Sequence, residues 1–161
     1  CAKLLRFPDL AEAVLKSVAK QVASLPITKV CGPAMGGVIV SYELARQLKK
    51  ESIFTERKDG SMQLRRGFSV GPEDVVLIAE DVVTTGKSTL ETVAALEALG
   101  AKVIGVACIA DRRAPDCGFP LPVYAALKLD IQSCDPNGCP LCREGKIALE
   151  KPGSRELPAG K

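Results

Sequence analysis

The chain has 161 residues, of which 47% are hydrophobic and 25% charged, an ordinary composition for one folded globular domain. Its net charge of +3 is too small to indicate nucleic-acid binding, and no apolar run approaches the roughly 20 residues of a membrane span. Histidine is absent, which excludes mechanisms that need an imidazole near neutral pH. Seven cysteines without an export signal indicate reduced thiols, so we expect a cytoplasmic protein. From the small net charge and the lack of a membrane span, we expect no nucleic-acid or membrane partner.

Apolar residues at helical or strand spacing divide the chain into alternating helices and strands. The first helix follows Pro8, and its apolar residues recur every four positions: Leu10, Val14, Val18 and Val22. Residues 57–68 are polar and contain Asp59-Gly60, which favours a hairpin or a mobile loop. In chain order the predictions are a helix over Pro8 to Ala23, a strand over Ile27 to Cys31, a helix over Val38 to Lys50, a strand over Ser52 to Glu56, a strand over Val75 to Ala79, a helix over Ser88 to Leu99 closed by Gly100, and strands over Val103 to Ala110 and Val123 to Leu127.

This alternation predicts βαβ units, and hence an α/β fold: a doubly wound, mostly parallel sheet with helices on both faces. Ligands of such sheets bind beyond the carboxyl ends of the strands. Three segments with functional residue types follow predicted strands, namely 32–37, 80–89 and 111–113. We expect one domain over residues 1–161, in which 133–161 form an irregular appendage rich in cysteine, proline and glycine.

The segment from Val75 to Thr89 carries the strongest functional signal. An apolar run ends in Glu80-Asp81, a Thr/Gly/Lys/Ser loop follows, and a predicted helix then begins. Loop amides and a helix N-terminus bind phosphate, and carboxylates accept hydrogen bonds from hydroxyls, so the ligand predicted is a sugar phosphate. A Walker A loop needs glycine five residues before its Gly-Lys-Ser step, and Asp81 stands there, which excludes a nucleoside triphosphatase.

The order of strand, Glu-Asp, loop and helix resembles the signature of type I phosphoribosyltransferases, which bind 5-phosphoribosyl-1-pyrophosphate (PRPP). With Gly-Val-Ala-Cys-Ile-Ala-Asp-Arg-Arg at 105–113, it looks like the orotate-specific branch of that family, from about Cys1 to about Arg155. The resemblance implies the type I phosphoribosyltransferase fold. It also implies transfer of the phosphoribosyl group of PRPP to orotate, which gives orotidine 5′-monophosphate and pyrophosphate for pyrimidine biosynthesis. Mg²⁺ would be held mainly by PRPP and water, and an upstream segment would help to cover the base.

Several residues are expected to bind PRPP. Glu80 and Asp81 would meet the ribose hydroxyls and act in catalysis, since their charge stabilises a cationic sugar in the transition state. A plain helix cap would also use Ser and Thr before a helix, but it needs neither two preceding carboxylates nor Gly-Lys. Val82 and Val83 are also expected to bind PRPP, and the 5′-phosphate contacts are expected from Thr84, Thr85, Gly86, Lys87, Ser88 and Thr89. The glycine-rich segment 32–37 is expected to offer amides to pyrophosphate.

Cations flank the Asp59-Gly60 turn and resemble the loop with which the family closes over pyrophosphate. Arg57 and Lys58 match its start, with Lys58 catalytic; Arg65 and Arg66 are assigned by proximity only. The alternative is a solvated basic hairpin. The family loop often carries a histidine, which this chain lacks. The resemblance also implies a homodimer whose hairpins close over the partner's site.

Arg112 is the expected orotate contact, since arginine pairs carboxylates in a bidentate manner, and Thr84 faces the base in the family pattern. An arginine pair after a strand also fits plain surface solvation. A purine phosphoribosyltransferase and a non-catalytic PRPP sensor remain alternatives. A sensor should add an effector module, and these 161 residues show no helix-turn-helix or basic recognition helix. Four cysteines could form an all-cysteine zinc site: Cys117, Cys134, Cys139 and Cys142. Buried or free thiols are favoured instead. We therefore expect no metal ligand among the side chains.

Overall fold

The computed structural model describes residues 1–114, 117–131 and 138–145, so the predictions for Cys134 and for most of the appendage lie outside the described residues. No helix in this described part is long and apolar enough to cross a membrane. The elements in chain order are α1 (Ala2–Leu5), α2 (Pro8–Val22), β1 (Lys29–Pro33), α3 (Gly36–Leu48), β2 (Glu51–Lys58), β3 (Ser61–Leu64), β4 (Val75–Val83), α4 (Lys87–Glu97), β5 (Lys102–Asp111), β6 (Val123–Lys128) and α5 (Pro140–Glu144). The chain divides into two compact units, Cys1–Asp130 and Ile131–Lys161. The first holds the whole sheet, and the second holds α5.

The six strands form one sheet in the order β3-β2-β1-β4-β5-β6. All neighbours are parallel except β2 and β3, which form an antiparallel hairpin. Successive strands run outward from β1 to β2 and β3 in one direction, and from β4 to β5 and β6 in the other. The predicted doubly wound sheet is therefore confirmed, and its strand order reverses between β1 and β4, where ligands of such sheets bind.

Helices cover both faces of the sheet because the strands are apolar on both sides. Along β4, Leu77 and Ala79 belong to one core with α2 and α3, whereas Val76 and Ile78 belong to the other core with α4. This alternation follows from the two-residue period of a strand. It also determines that Glu80 and Asp81, the next two residues of β4, leave the strand on opposite faces.

Several local predictions need correction. α3 begins and ends two residues earlier than predicted, and β2 extends to Lys58. β1 begins and ends two residues later than predicted, and Gly32 and Pro33 pair with β2 as its last residues. β4 does not stop at the carboxylates but continues to Val83, because its pairing with β5 extends that far. The core face of α2 includes Ala11 and Leu15, whereas Leu10 is 52% exposed.

The α2 correction has a geometric reason. Each four-residue step along an α-helix turns by about 40° beyond a full circle, so a strict four-residue stripe drifts off one face. The buried positions instead follow steps of three and four residues: Ala11, Leu15, Val18, Ala19 and Val22.

Candidate active site

The carboxyl ends of β1 and β4 meet at the point where the strand order reverses. β1 leads through Ala34 and Met35, which are joined by a cis peptide bond, into α3. The half-buried carboxylate of Asp81 lies against the start of α3, since a Cβ atom at Gly36 would be only 2.7 Å from Asp81 Cγ. Glycine is needed there because any side chain would occupy the place of the carboxylate. The Asp81 carboxylate thus lies beside the N-terminus of α3, where the positive end of the helix dipole favours a negative charge.

The amide of Ala34 is already used, because it donates to the carbonyl of Thr55 in β2 at 2.7 Å. Within the segment 32–37, the buried residues Gly32 and Pro33 belong to β1. In the first turn of α3, the amide of Val38 donates to the carbonyl of Met35 at 3.2 Å, whereas the helix offers no acceptor to the amides that precede Val38. Of the predicted pyrophosphate segment, it is therefore the part from Met35 onward that offers amides to an anion.

The predicted phosphate loop joins β4 to α4. Thr84 and Thr85 are exposed, Gly86 is buried with a left-handed φ of 71°, and Lys87 is the exposed first residue of α4. The carbonyl of Gly86 accepts the first hydrogen bond of the helix, from Leu90 N at 2.8 Å. The N-cap residue Gly86 has no side chain that could cap α4, but the amide of Lys87 donates to Thr85 Oγ1 at 3.4 Å. The positive end of the helix dipole remains directed at the loop. The local structure predicted for an anion site is present.

Glu80 takes a different position from Asp81. It is 5% exposed and lies under the first turn of α4, where its Oε1 accepts hydrogen bonds from Ser88 Oγ at 3.0 Å and Thr89 Oγ1 at 3.1 Å. Burial raises the pKa of Glu80 to about 7, an effect that the two hydroxyls oppose and the nearby Asp81 reinforces. The two carboxylates do not form a side-by-side pair. Ser88 and Thr89, which were expected to meet phosphate, hold Glu80 through their hydroxyls.

The two valines that link the carboxylates to the loop contribute mainly backbone. The amide of Val82 donates to Asp81 Oδ1 at 2.9 Å, which orients the carboxylate. Val83 is 1% exposed and belongs to the core on the α4 face. Its carbonyl accepts a hydrogen bond from Arg112 N at 2.8 Å, so the strand ends of β4 and β5 are tied together beside the loop.

The residues from Arg57 onward form an ordered hairpin, in which Asp59 and Gly60 both have positive φ, as a two-residue type I′ turn requires. Arg57 donates to the carbonyl of Gly60 at 2.6 Å and forms an ion pair with Glu91 of α4. Arg65 and Arg66 both donate to Glu56, at 2.7 and 3.0 Å. Among the described residues, no carboxylate lies within ion-pair distance of Lys58.

The two arginines that follow β5 differ in their ion pairing. Arg113 donates to both oxygens of Asp111 at 2.9 Å and lies over the ring of Phe119, 4.8 Å from its centroid. Asp111 is 3% exposed, and its hydrogen bonds from Arg113 lower its pKa, although burial acts in the opposite sense. Arg112 is exposed, and its guanidinium has no ion-pair partner within the described part of the chain. The free cation is thus the one that was predicted to bind orotate.

Two cysteines lie in the sheet beneath this site. Cys31 and Cys108 are fully buried, and burial raises the pKa of each thiol to about 12. Such thiols stay protonated and inert at neutral pH. Over residues 1–114, 117–131 and 138–145, no group of three or more His, Cys, Asp or Glu side chains is arranged to hold a metal ion.

Sequence reasoning missed four residues that organise this region: Glu56, Glu91, Asp111 and Phe119. Glu91 and Phe119 contact residues more than 30 positions away, and Glu56 contacts Arg65 and Arg66 across the hairpin, so no local pattern marks these three. Asp111 did leave a signal, because an acid two residues before an arginine at a strand end favours a local ion pair.

Comparison with known proteins agrees with this geometry. A family model described as the phosphoribosyl transferase domain matches residues 8–116. The orotate phosphoribosyltransferase of Thermotoga maritima is 48% identical over 157 residues, which cover 98% of this chain and 83% of that protein.

Solved structures share the fold. Adenine phosphoribosyltransferase from Rhodothermus marinus superposes with a TM-score of 0.63 at 25% identity, covering 78% of this chain and 83% of that one. Orotate phosphoribosyltransferase from Aeropyrum pernix superposes with a TM-score of 0.66 at 21% identity, covering 80% and 76%. The chain belongs to the phosphoribosyltransferase family, as predicted.

Proposed function

We propose that this chain is an orotate phosphoribosyltransferase. It transfers the 5-phosphoribosyl group of PRPP to orotate and releases orotidine 5′-monophosphate and pyrophosphate, a step of pyrimidine biosynthesis. The observation that carries the proposal is the arrangement at the strand ends: the start of α3, the Asp81 carboxylate against it, and the loop that leads from the end of β4 to the N-terminus of α4. PRPP has the same order of groups: an anion at each end and ribose hydroxyls between them.

The phosphoribosyl donor would lie across the strand ends of β1 and β4. Its 5′-phosphate would bind the loop from Thr84 to Ser88, through backbone amides, the threonine hydroxyls and Lys87. Its pyrophosphate would approach the start of α3. Asp81 would accept hydrogen bonds from the ribose hydroxyls, and Glu80, buried under α4, would hold the loop from below through Ser88 and Thr89.

In the reaction, a ring nitrogen of orotate forms a bond to C1′ while the bond from C1′ to the pyrophosphate oxygen breaks. Positive charge develops on the ribose, and the fixed Asp81 carboxylate stabilises it. The protein's further contribution is to hold both substrates in line, which lowers the entropic part of the barrier. No protein nucleophile is needed, which agrees with the buried and protonated state of Cys31 and Cys108.

Mg²⁺ is the proposed cofactor. The described residues supply no cluster of three metal ligands of their own, and PRPP carries the hard phosphate and hydroxyl oxygens that Mg²⁺ prefers. The phosphate and hydroxyl oxygens of PRPP would therefore be its main ligands. When bound, the ion neutralises charge on the leaving pyrophosphate.

The choice of orotate rests on Arg112 and on the name of the Thermotoga relative. Orotate carries a carboxylate, and an exposed guanidinium without an internal ion pair is the group that recognises it. The fold alone does not select the base, since adenine phosphoribosyltransferases share it. The test is pyrophosphate release with PRPP, Mg²⁺ and a panel of bases: orotate should be used, and turnover with adenine, guanine or hypoxanthine alone would overturn the proposal.

We further propose a homodimer in which the hairpin of one subunit reaches the site of its partner. Two features support it. Lys58 is exposed without an ion-pair partner among the described residues, and three large apolar side chains line the outer face of α3 from the pyrophosphate segment onward. They are Met35, Ile39 and Tyr42, which are 86%, 49% and 68% exposed.

Subunit mixing tests this arrangement. Lys58→Ala and Asp81→Asn subunits, each impaired alone, are mixed under conditions that allow exchange, and activity is measured at low PRPP concentration. A shared site gives mixed dimers with one site carrying both changes and one carrying neither, so the activity of the mixture should rise clearly above that of either variant alone. A monomeric mass in solution, or a mixture no more active than the average of the two variants after exchange is verified by mass, would contradict the proposal.

A further inference from the structure

Phe119 lies against the phosphate loop, although the two are 33 positions apart in the chain. A Cβ atom at Gly86 would lie 2.3 Å from Cε2 of Phe119 and 2.9 Å from its Cδ2. The edge of the ring therefore fills the space where any other residue would carry its side chain. Gly86 is needed for two separate reasons, its φ of 71° and the ring beside it.

The ring is held on its other side by a cation. The guanidinium of Arg113 lies 4.8 Å from the ring centroid, within the range of a cation–π contact. Arg113 itself is fixed by two hydrogen bonds to Asp111, the buried last residue of β5. A continuous series of contacts thus runs from the end of β5 through Arg113 and Phe119 to the backbone of Gly86.

We propose that Phe119 is a positioning residue for the phosphate loop. This inference rests on the proposed function, since it takes the loop that contains Gly86 to bind the 5′-phosphate of PRPP. Glycine can adopt many backbone conformations, so a loop that needs the left-handed one at Gly86 must be held in it by neighbouring contacts. The ring restricts Gly86 to the conformation in which its carbonyl starts α4, so the amides are arranged before PRPP arrives.

The series does not pass through the guanidinium of Arg112, the proposed orotate contact. Loss of the Phe119 ring should therefore weaken the binding of PRPP and leave the binding of orotate unchanged. If Phe119 were only a core residue, its loss would lower stability and affect both substrates alike. It does pack partly buried against the core on the α4 face, so a control for that role is required.

Phe68 supplies the matched control. It is also a partly buried ring packed against the same core, but its ring neighbour is Phe54, with centroids 5.0 Å apart. We expect Phe119→Ala to raise the KM for PRPP about 10- to 100-fold while the KM for orotate changes less than about twofold. Phe68→Ala should lower the melting temperature with little change in either KM, and Phe119→Leu, which refills the space, should restore most PRPP affinity.

A second measurement isolates the contact with Gly86. The effect of Gly86→Ala on the KM for PRPP is compared in the wild-type and Phe119→Ala backgrounds. If the ring fills the space, the added Cβ should harm the wild type much more than the variant that lacks the ring. An equal effect in both backgrounds would attribute the damage to φ alone and overturn the inference, as would equal rises of both KM values in Phe119→Ala.

Direct binding separates this inference from the function on which it rests. Calorimetric titration of the wild type with PRPP and Mg²⁺ comes first, and absence of binding would overturn the proposed function. Binding by the wild type that Phe119→Ala retains at full strength would overturn the role of Phe119 alone. Weaker binding by Phe119→Ala, with Phe68→Ala unaffected, would support both.

Discussion

Two arginine pairs, each placed after a strand, differ in how many of their charges the protein uses for itself. Arg65 and Arg66 follow β3, and both are held by the single carboxylate of Glu56. Of the pair that follows β5, Arg113 is held by Asp111, and Arg112 has no ion-pair partner within the described residues. The number of arginines in a segment therefore says little about its capacity for anions. The capacity for anions depends on the number of arginines that form no ion pair with a carboxylate of the protein itself.

The same distinction applies to the carboxylates of β4, where Glu80 is engaged by two hydroxyls and Asp81 lies at the strand ends beside α3. We expect Asp81→Asn to lower kcat about 10²- to 10³-fold, because the lost charge faces the ribose in the transition state. The measurement is steady-state turnover at saturating PRPP and orotate, with the melting temperature as a check of folding. A near-normal kcat in a folded Asp81→Asn protein would show that this carboxylate is not the one that matters.

The β5 pair should separate binding from stability. Arg112→Ala should raise the KM for orotate about 30- to 150-fold and leave that for PRPP nearly unchanged, since a charge-assisted contact contributes on the order of 2–3 kcal/mol. The control is Arg113→Ala, which leaves the buried Asp111 without its partner and should lower the melting temperature more than Arg112→Ala does. Equal rises of both KM values in Arg112→Ala would make Arg112 a structural residue.

In the hairpin, Lys58 should matter more than either paired arginine. Lys58→Ala should reduce kcat/KM for PRPP about tenfold, whereas Arg66→Ala removes an exposed ion pair and should change it less than about twofold. The two variants are compared by initial rates over a range of PRPP concentrations. If Arg66→Ala is as damaging as Lys58→Ala, the internal pairing with Glu56 does not determine which cation meets the substrate.

The smallest expected effect concerns pH. The pKa of Glu80 is raised to about 7 from 4.5. Between these two pH values, Glu80 is therefore protonated in the folded protein and ionised in the unfolded chain. Glu80 therefore stabilises the fold below pH 4.5, and this contribution, about 1–3 kcal/mol, is lost as the pH rises toward 7. Asp74 and Asp111, whose pKa values are lowered from 3.8, act in the opposite sense at lower pH.

Denaturant unfolding from pH 4.5 to 7.5 measures this contribution. The free energy of unfolding should fall with rising pH in the wild type and stay flatter in Glu80→Gln, which keeps the hydrogen-bond acceptor for Ser88 and Thr89. Parallel curves for the two proteins would show that Glu80 is ionised in the fold like an ordinary carboxyl.

The sheet could be predicted from sequence because each parallel strand, buried on both faces, is a continuous apolar run bounded by turn residues. The ends of the strands could not. Glu80 and Asp81 look like the end of an apolar run, yet β4 continues through them because its backbone pairs with β5 up to Val83 and Asp111. Backbone pairing does not depend on side-chain polarity, and so a hydrophobic pattern underestimates any strand that extends into a polar site.

The local structure of the phosphate loop could be predicted because its parts are contiguous in sequence. A loop with a glycine and a helix start is enough to predict amides that face an anion, as between Thr84 and Ser88. The ion pair of each charged side chain could not be predicted, since it depends on partners brought close by folding. Arg57, which is predicted to bind PRPP, lies beside Glu91 of α4 for this reason.

The contact between Gly36 and Asp81 has a consequence for the history of the chain. Because a Cβ atom at position 36 would lie 2.7 Å from the Asp81 carboxyl carbon, no larger residue fits at position 36 while Asp81 keeps its place. A mutation that adds a side chain at Gly36 removes the carboxylate from its place without altering the codon for Asp81. The place of the Asp81 carboxylate therefore depends on a glycine that lies 45 residues earlier in the chain.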